Sequence, residues 1–315
     1  MRVIVWFLVG LAAACRTSGS TQVTAKHPPV ELPVAVEEDR FYLQAKTASG
    51  SPLRIFLDSA GDTFLTRQAV QRLELPVRRV PTPEGERETA PFPSFYDARV
   101  PRPQLEAYPV VDEAPRDRAD GTLGALWFAG RAFTFDYAGK RLWLRSPGDV
   151  PPVPAAHRIP VGLRRDEDGQ PASPYGRIEV QIDGASLDML LDTGATITLT
   201  DAARQALGGA ARERAGSFIV ETVFERWRRA HPEWRVIEAA DHAAGDAPII
   251  EVPDVRIAGH EIGPVWFARR PDPGFRRAVA QLMDRPGDGA IGGSALRHFQ
   301  RVTVDWANAT AVFER

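Results

Sequence analysis

The chain has 315 residues, 43% of them hydrophobic and 25% charged, with a formal net charge of −2. That balance gives no electrostatic case for nucleic acid as a partner, and no run of like charge is long enough to act as a tail. The length suits one large domain or two of ordinary size, and 26 Gly with 27 Pro favour many turns and short strands over long helices.

In chain order, Arg2 precedes an uncharged apolar run from Val3 to Ala14 (VIVWFLVGLAAA). Such a run is too short to span a bilayer but suits a secretory leader. It ends at Cys15, the only cysteine in the chain. Small residues before a lone cysteine resemble a bacterial lipobox, with Ala12 at the position usually held by an apolar residue and Leu11 one step earlier. The resemblance implies that residues 1–15 are a lipoprotein signal peptide and that Cys15 becomes the lipidated end, joining the protein to a membrane. Arg16 follows, not Asp, which in bacterial lipoprotein sorting implies the outer membrane, facing the periplasm. An ordinary signal peptide with an incidental cysteine is the other reading. With the leader removed no disulfide can form within the chain, so the fold rests on its core.

Residues 16–38 are polar and contain proline, as expected of a tether. A second Pro-rich stretch, residues 146–160 (SPGDVPPVPAAHRIP), is expected to link two lobes, 39–145 and 161–315. Those two pieces repeat each other. Leu57-Asp58-Ser59-Ala60-Gly61-Asp62-Thr63-Phe64-Leu65-Thr66 aligns without a gap on Leu191-Asp192-Thr193-Gly194-Ala195-Thr196-Ile197-Thr198-Leu199-Thr200. Later, Asp120-Gly121-Thr122-Leu123-Gly124 aligns on Asp288-Gly289-Ala290-Ile291-Gly292, and Thr134-Phe135-Asp136-Tyr137-Ala138 on Thr303-Val304-Asp305-Trp306-Ala307. Similar blocks in the same order indicate internal duplication.

Each half has the same local pattern. Ile178, Val180 and Ile182, then Leu187, Met189 and Leu191, alternate with polar residues on either side of Asp183-Gly184, predicting a hairpin that runs into the aspartate. Thr66 and Thr200 stand as N-caps before short helices expected to end by Pro76 and Gly208. Phe133-Thr134-Phe135 with Leu142-Trp143-Leu144, and Val302-Thr303-Val304 with Ala311-Val312-Phe313, predict a closing hairpin in each half. An insertion in the second half places Ile219, Val220, Val223, Phe224 and Trp227 on one helical face, expected to be core. A further helix is expected from Asp272 as N-cap, with Phe275, Val279, Leu282 and Met283 inward, stopping before Pro286.

Asp-Thr-Gly between apolar strands, followed by Gly-Ala-Ile-Gly-Gly (289–293) and Val-Thr-Val-Asp-Trp (302–306), resembles the retropepsin-like aspartic proteases. The doubled arrangement is similar to bacterial two-lobed aspartyl protease family proteins, and the resemblance runs from Asp39 to Arg315. It implies a mostly β, two-lobed acid-protease barrel fold with short helices, its lobes related by duplication. It also implies an aspartic-type endopeptidase acting on polypeptide, as a monomer with pseudo-twofold symmetry and without cofactor or metal. Asp58 and Asp192 would be the catalytic pair. Two carboxylates about 3 Å apart cannot both ionise comfortably and share a proton, so one activates water while the other donates. Ser59 and Thr193 would hydrogen-bond across the axis, Ala60 and Gly194 would bring backbone against the carboxylates, and Gly124 and Gly292 would brace the loops. An ordinary turn is the alternative for those last two. Gly85 and Gly216 stand where flap glycines would, and Phe95 or Tyr96 would contact substrate.

The first copy departs from the pattern, with Ala60 where the family has glycine and Gly61 after it. If that position needs positive φ, alanine costs about 1 kcal/mol or more, and the extra methyl bears on the carboxylate spacing. Two other readings stay open: a catalytically impaired fold that binds peptide or another envelope component, and a homodimer built on the second half alone. Other chemistries find no support, since His260-Glu261 lacks the second histidine of a zinc-protease helix and Gly293-Ser294 lacks a serine-hydrolase frame.

Overall fold

The alternation around Asp183-Gly184 folds into a hairpin, Arg177–Ile182 against Ala185–Leu191, paired from Arg177↔Leu190 to Ile182↔Ala185. Asp183 and Gly184 hold φ of +52° and +69°, the turn whose twist matches its strands. Ile178, Val180, Ile182, Leu187, Met189 and Leu191 are all buried. Arg40–Lys46 and Pro52–Leu57 repeat the arrangement in the first half. In each half the second strand then runs parallel to the later repeated block, Pro52–Leu57 beside Gly121–Leu123 and Ala185–Leu191 beside Gly289–Ile291. The structure, a computed structural model, describes residues 28–83, 85–112 and 118–315. The expected leader and Cys15 lie outside the described residues. Among those described, no helix is long and apolar enough to cross a membrane.

The main sheet of the first lobe has eight strands and that of the second nine. The two closing hairpins form as expected, but they do more than close their own lobes. Ala132–Asp136 pairs antiparallel with Arg301–Asp305, in register from Ala132↔Asp305 to Asp136↔Arg301. The result is a six-stranded sheet shared by both lobes, with the order Val30–Leu32, Arg141–Arg145, Ala132–Asp136, Arg301–Asp305, Thr310–Glu314, Arg158–Pro160. The order is the same read from either end, so the Thr134↔Thr303 pair marks an approximate twofold axis. Both threonines are fully buried and their hydroxyls lie 2.7 Å apart. Joining the hairpins removes two open edges that would otherwise present unpaired backbone.

This sheet corrects two boundaries. Residues 30–37, expected as tether, supply the outer strand Val30–Leu32 and the strand Val34–Glu37 of the first lobe. The expected linker ends in the symmetry-related outer strand, Arg158–Pro160. Both stretches contain proline, which is compatible with a sheet edge.

Packing ties the lobes further. Phe128 lies 5.1 Å, ring centre to ring centre, from both Phe133 and Trp306, bringing the two halves into one aromatic cluster. Each such ring, fully buried, contributes roughly 1.5–3 kcal/mol. Arg40 is 1% exposed and reaches Glu213 of the second lobe, Nη1 to Oε2 at 3.1 Å, with Nη2 donating to the Glu213 carbonyl at 3.2 Å. The turn before it, Glu38-Asp39, has positive φ at both residues, and the Glu38 carbonyl accepts from Ala215 N–H at 2.9 Å.

Thr66 and Thr200 cap their helices by accepting from Ala69 and Ala203 N–H at 3.1 and 3.2 Å. The helices, Arg67–Arg72 and Asp201–Ala206, are each 6 residues long. The insertion differs from expectation at its start: Ile219 and Val220 end a strand, Ser217–Val220, and the helix is Glu221–Ala230, burying Val223, Phe224 and Trp227. The helix expected after Asp272 forms over residues 272–281, wide through Gly274–Ala278 and tight through Val279–Gln281, with Phe275 and Met283 buried, but Asp272 lies in its first turn and not before it. Asp272 instead accepts from Thr222, N–H at 3.0 Å and hydroxyl at 2.7 Å, at the start of Glu221–Ala230.

Where the linker meets the second lobe, His157 and His260 stack with ring centres 3.8 Å apart. Burial pulls His260 below the usual histidine range, and neighbouring His157 adds to this. Burial, then the charge of Arg297, does the same to His298. The unfolded chain therefore takes up protons first on acidification. Stability present above the ordinary histidine value of 6.5 is lost as pH falls toward the depressed folded values. The melting temperature should drop between about pH 7 and about pH 5, and His260→Gln should flatten that drop. An unchanged slope in thermal melts of the variant would contradict this.

Candidate active site

Each aspartate extends a parallel ladder by one residue and then enters a tight loop. Asp58 N–H donates to Leu123 O at 3.1 Å, and Asp192 N–H to Ile291 O at 2.9 Å. Within the loops, Ala60 N–H donates to Asp58 Oδ1 at 3.1 Å and Gly194 N–H to Asp192 Oδ1 at 3.0 Å. Across the axis, Ser59 Oγ donates to Leu191 O and accepts from Thr193 N–H, both at 3.0 Å. Thr193 Oγ1 accepts from Ser59 N–H at 3.2 Å. Both hydroxyl residues are 1% exposed, and each of these bonds joins one lobe's loop to the other's. The aspartates themselves are half-buried at the surface of this interlock.

One glycine sets how close the two carboxylates come. A Cβ built on Gly194 would fall 2.2 Å from Asp58 Cγ and 2.5 Å from its Oδ1, so no side chain fits there. The N–H of this residue is bonded to Asp192. Gly194 therefore touches both carboxylates, and the structure brings the two predicted aspartates together.

A Cβ on Gly61 would fall 2.5 Å from Asp58 Oδ2. Asp58 thus lies against bare backbone on its own loop and on the opposite one. The counterpart positions around Asp192 belong to Ala195 and Ala60. The permuted motif moves both glycines to the Asp58 side, and the two loops are not equivalent. The backbone cost expected at Ala60 does not arise, because neither Ala60 nor Gly194 has positive φ.

Gly124 and Gly292 are sites of close approach. A Cβ on Gly124 would meet Gly61 O at 2.2 Å, and one on Gly292 would meet Gly216 O at 2.2 Å and Asp192 O at 2.9 Å. Their N–H groups donate to Thr63 Oγ1 at 2.8 Å and Ser217 Oγ at 3.1 Å. Of the proposed flap glycines, Gly85 sits at the turn end of the hairpin Arg78–Thr82/Gly85–Ala90, with φ of +121°. Gly216 is buried against Ile197 and belongs to no flap, since the insertion redirects the chain there. Phe95 is buried among core rings, while Tyr96 is 74% exposed.

Three further residues carry charge or a phenol near the pair. Asp62, aligned on Thr196, is open to solvent yet set down among protein. Burial, then the charge of Asp58, raises its carboxyl above the usual range, with Arg87 of the hairpin opposing. Tyr175 is half-buried, its phenol raised by burial and then by Asp62, Asp58 and Asp192. Tyr137 is fully enclosed, its phenol raised by burial and then by Asp39 and Asp192; its hydroxyl has no partner among the described residues. Asp62 was detectable as a second acidic residue where the other copy has Thr196; the two tyrosines arrive from other segments. Among the described residues, no group of three or more His, Cys, Asp or Glu is arranged to hold a metal ion.

Comparison with solved structures gives the same architecture. The aspartic proteinase from Irpex lacteus is 10% identical, covers 91% of this chain and 97% of its own, and superposes with a TM-score of 0.50. The chain has a two-lobed aspartic-protease fold. Looser superpositions include a retropepsin-like aspartic protease from Rickettsia conorii, 13% identical over 50% of this chain and 88% of its own, with a TM-score of 0.28. Another is conglutin gamma, a basic 7S globulin from lupine seeds, 10% identical over 91% of this chain and 94% of its own, with a TM-score of 0.45. No family model matches the chain, and no curated protein does.

The glycine contacts make an asymmetric prediction for this aspartic-protease fold. Gly194→Ala should lower stability by about 1–3 kcal/mol through forced displacement of Asp58. Ala60→Gly should cost only about 0.5–1 kcal/mol, through freedom gained by the unfolded chain. Denaturant unfolding measures both, and equal effects would contradict the assignment.

Proposed function

We propose that the protein is an aspartic endopeptidase that hydrolyses peptide bonds with the Asp58–Asp192 pair. The observation that carries this is the position of Gly194, bonded to Asp192 through its N–H and packed against the carboxylate of Asp58. Two carboxyl groups held this way share a proton. The ionised one takes a proton from a water lying between them, and that water's oxygen attacks the peptide carbonyl carbon. The protonated one gives its hydrogen to the carbonyl oxygen. Collapse of the resulting diol breaks the C–N bond: the leaving nitrogen takes the proton that the first aspartate drew from water, and a diol hydroxyl returns its proton to the second, which restores the pair. The titration belongs to the pair, so neither aspartate is assigned as base. Ser59 and Thr193 hold the loops without entering the reaction.

Unfolded polypeptide should be cleaved, and Asp58→Asn or Asp192→Asn should slow turnover by about 10²–10⁴-fold. Asparagine keeps an Oδ1 acceptor for the loop N–H, so both variants should fold. Undiminished turnover by either would refute the mechanism.

The same reading includes anchoring. A lipid on Cys15 would hold the enzyme at the outer membrane of a bacterial envelope, facing the periplasm, with residues from Arg16 to the first strand as spacer. Fractionation should find the full chain with membranes and the Cys15→Ser variant released or unprocessed; identical partitioning of the two would exclude lipid attachment.

A further inference from the structure

The second lobe carries a recess that the mechanism above does not use. Thr196–Thr198 and Glu213–Ala215 pair antiparallel with Ile197 opposite Arg214, which puts these two side chains on one face. Both line a narrow recess of about 320 Å³, mouth included, together with Leu199, Ile249, Trp266 and Arg297. Ile197, Leu199 and Ile249 are buried, Trp266 and Arg214 half-buried, and Arg297 exposed. The aliphatic groups thus form the floor and the guanidiniums the rim. Gly216 lies against the floor, since a Cβ there would fall 2.5 Å from Ile197 Cγ1. Among the described residues no acidic side chain lines the recess, and no residue of either aspartate loop does. It is a place apart from the Asp58–Asp192 pair.

A guanidinium taken partly out of water is costly unless its donors are met. Arg297 has a partner in Asp39, Nη1 to Oδ2 at 3.5 Å. The side chain of Arg214 has no hydrogen bond and no ion pair among the described residues. Burial, then the charge of Arg297, lowers its guanidinium below the usual value, with Glu38 and Asp39 opposing. Two cations therefore share the rim of an aliphatic floor, and the group that would complement both is an anion carrying hydrocarbon. We propose that this recess binds an aliphatic carboxylate, its head against Arg214 and Arg297 and its chain on Ile197, Leu199 and Ile249. The forked donors of arginine match a carboxylate. The enclosed part of the recess has room for about one water molecule, which selects a slender chain over a ring. A free fatty acid and the C-terminal end of a peptide with an aliphatic last residue share this chemistry.

The test is NMR titration of the full chain, labelled at isoleucine and leucine methyls, with butyrate, hexanoate and octanoate. Shifts should concentrate at Ile197, Leu199 and Ile249, and affinity should rise about fourfold per methylene buried until the recess is full. Octanol and protonated octylamine should bind about tenfold more weakly than octanoate, because neither makes a charge-assisted bond to arginine. Arg214→Gln should weaken octanoate by a similar factor and leave the melting temperature unchanged, since that guanidinium has no protein partner to lose. Acetyl-leucine binding more tightly than hexanoate assigns the site to a peptide end, and the reverse order to a free fatty acid. Shifts that fall elsewhere, that ignore chain length, or that octanol or octylamine reproduces at equal concentration would overturn the assignment. So would octanoate binding unchanged in Arg214→Gln. None of these readouts uses turnover, so the assignment is decided separately from the peptidase reading.

Discussion

Two buried hydroxyls govern the geometry of the cleft. Ser59 and Thr193 each bond to backbone belonging to the other lobe. A buried polar atom left without its partner costs about 1–3 kcal/mol, so the interlock penalises any separation of the loops. That penalty lets two half-exposed aspartates keep their positions. The loops need small side chains, because Gly194 has no room for even one methyl. The strands on each side must enter in parallel pairs, so that the N–H of each aspartate finds its carbonyl.

The duplication was legible in the sequence because this interlock restricts residue types at contiguous positions. An aspartate, a hydroxyl and small residues must follow an apolar strand in both halves, whatever surrounds them. The N-caps Thr66 and Thr200 were legible for a similar local reason. The shared six-stranded sheet was not, since its register joins residues far apart in sequence and nothing local separates a lobe's closing hairpin from half of a joint sheet. The same limit explains the outer strands at Val30–Leu32 and Arg158–Pro160, whose prolines read as loose chain. In the insertion, the apolar spacing of Ile219 and Val220 fitted a helix, but pairing with Phe218↔Ala268 and its neighbours draws them into a strand. Asp272, expected to cap the helix that follows it, instead accepts from Thr222 at the start of a helix some fifty positions earlier.

The lobes are held by more than the active-site loops. The Thr134–Thr303 contact, the aromatic cluster through Phe128 and Trp306, and the Arg40–Glu213 ion pair all cross between them. The ion pair is the costly member, because removing a guanidinium from water is repaid only by near-complete satisfaction of its donors. The edge of Arg301–Asp305 is occupied by the first lobe. A homodimer of second halves would have to displace that strand, exposing the buried threonine and the rings behind it.

The permuted motif carries the last step. Read along the sequence, Ala60 is a blemish in the first copy. In space, the residue that must be glycine beside Asp58 is Gly194, contributed by the other lobe, and Gly61 clears the near side. The exchange of Ala-Gly for Gly-Ala thus concentrates bare backbone around Asp58 and puts the methyl-bearing positions around Asp192. A strict twofold arrangement would give the two carboxylates equal surroundings, and here they are unequal. Asp58 has Asp62 four residues along its own loop, and Gly176 is bonded to Leu191 just before Asp192. Duplication followed by divergence at residues 60, 61 and 62 is sufficient to make the two loops unlike.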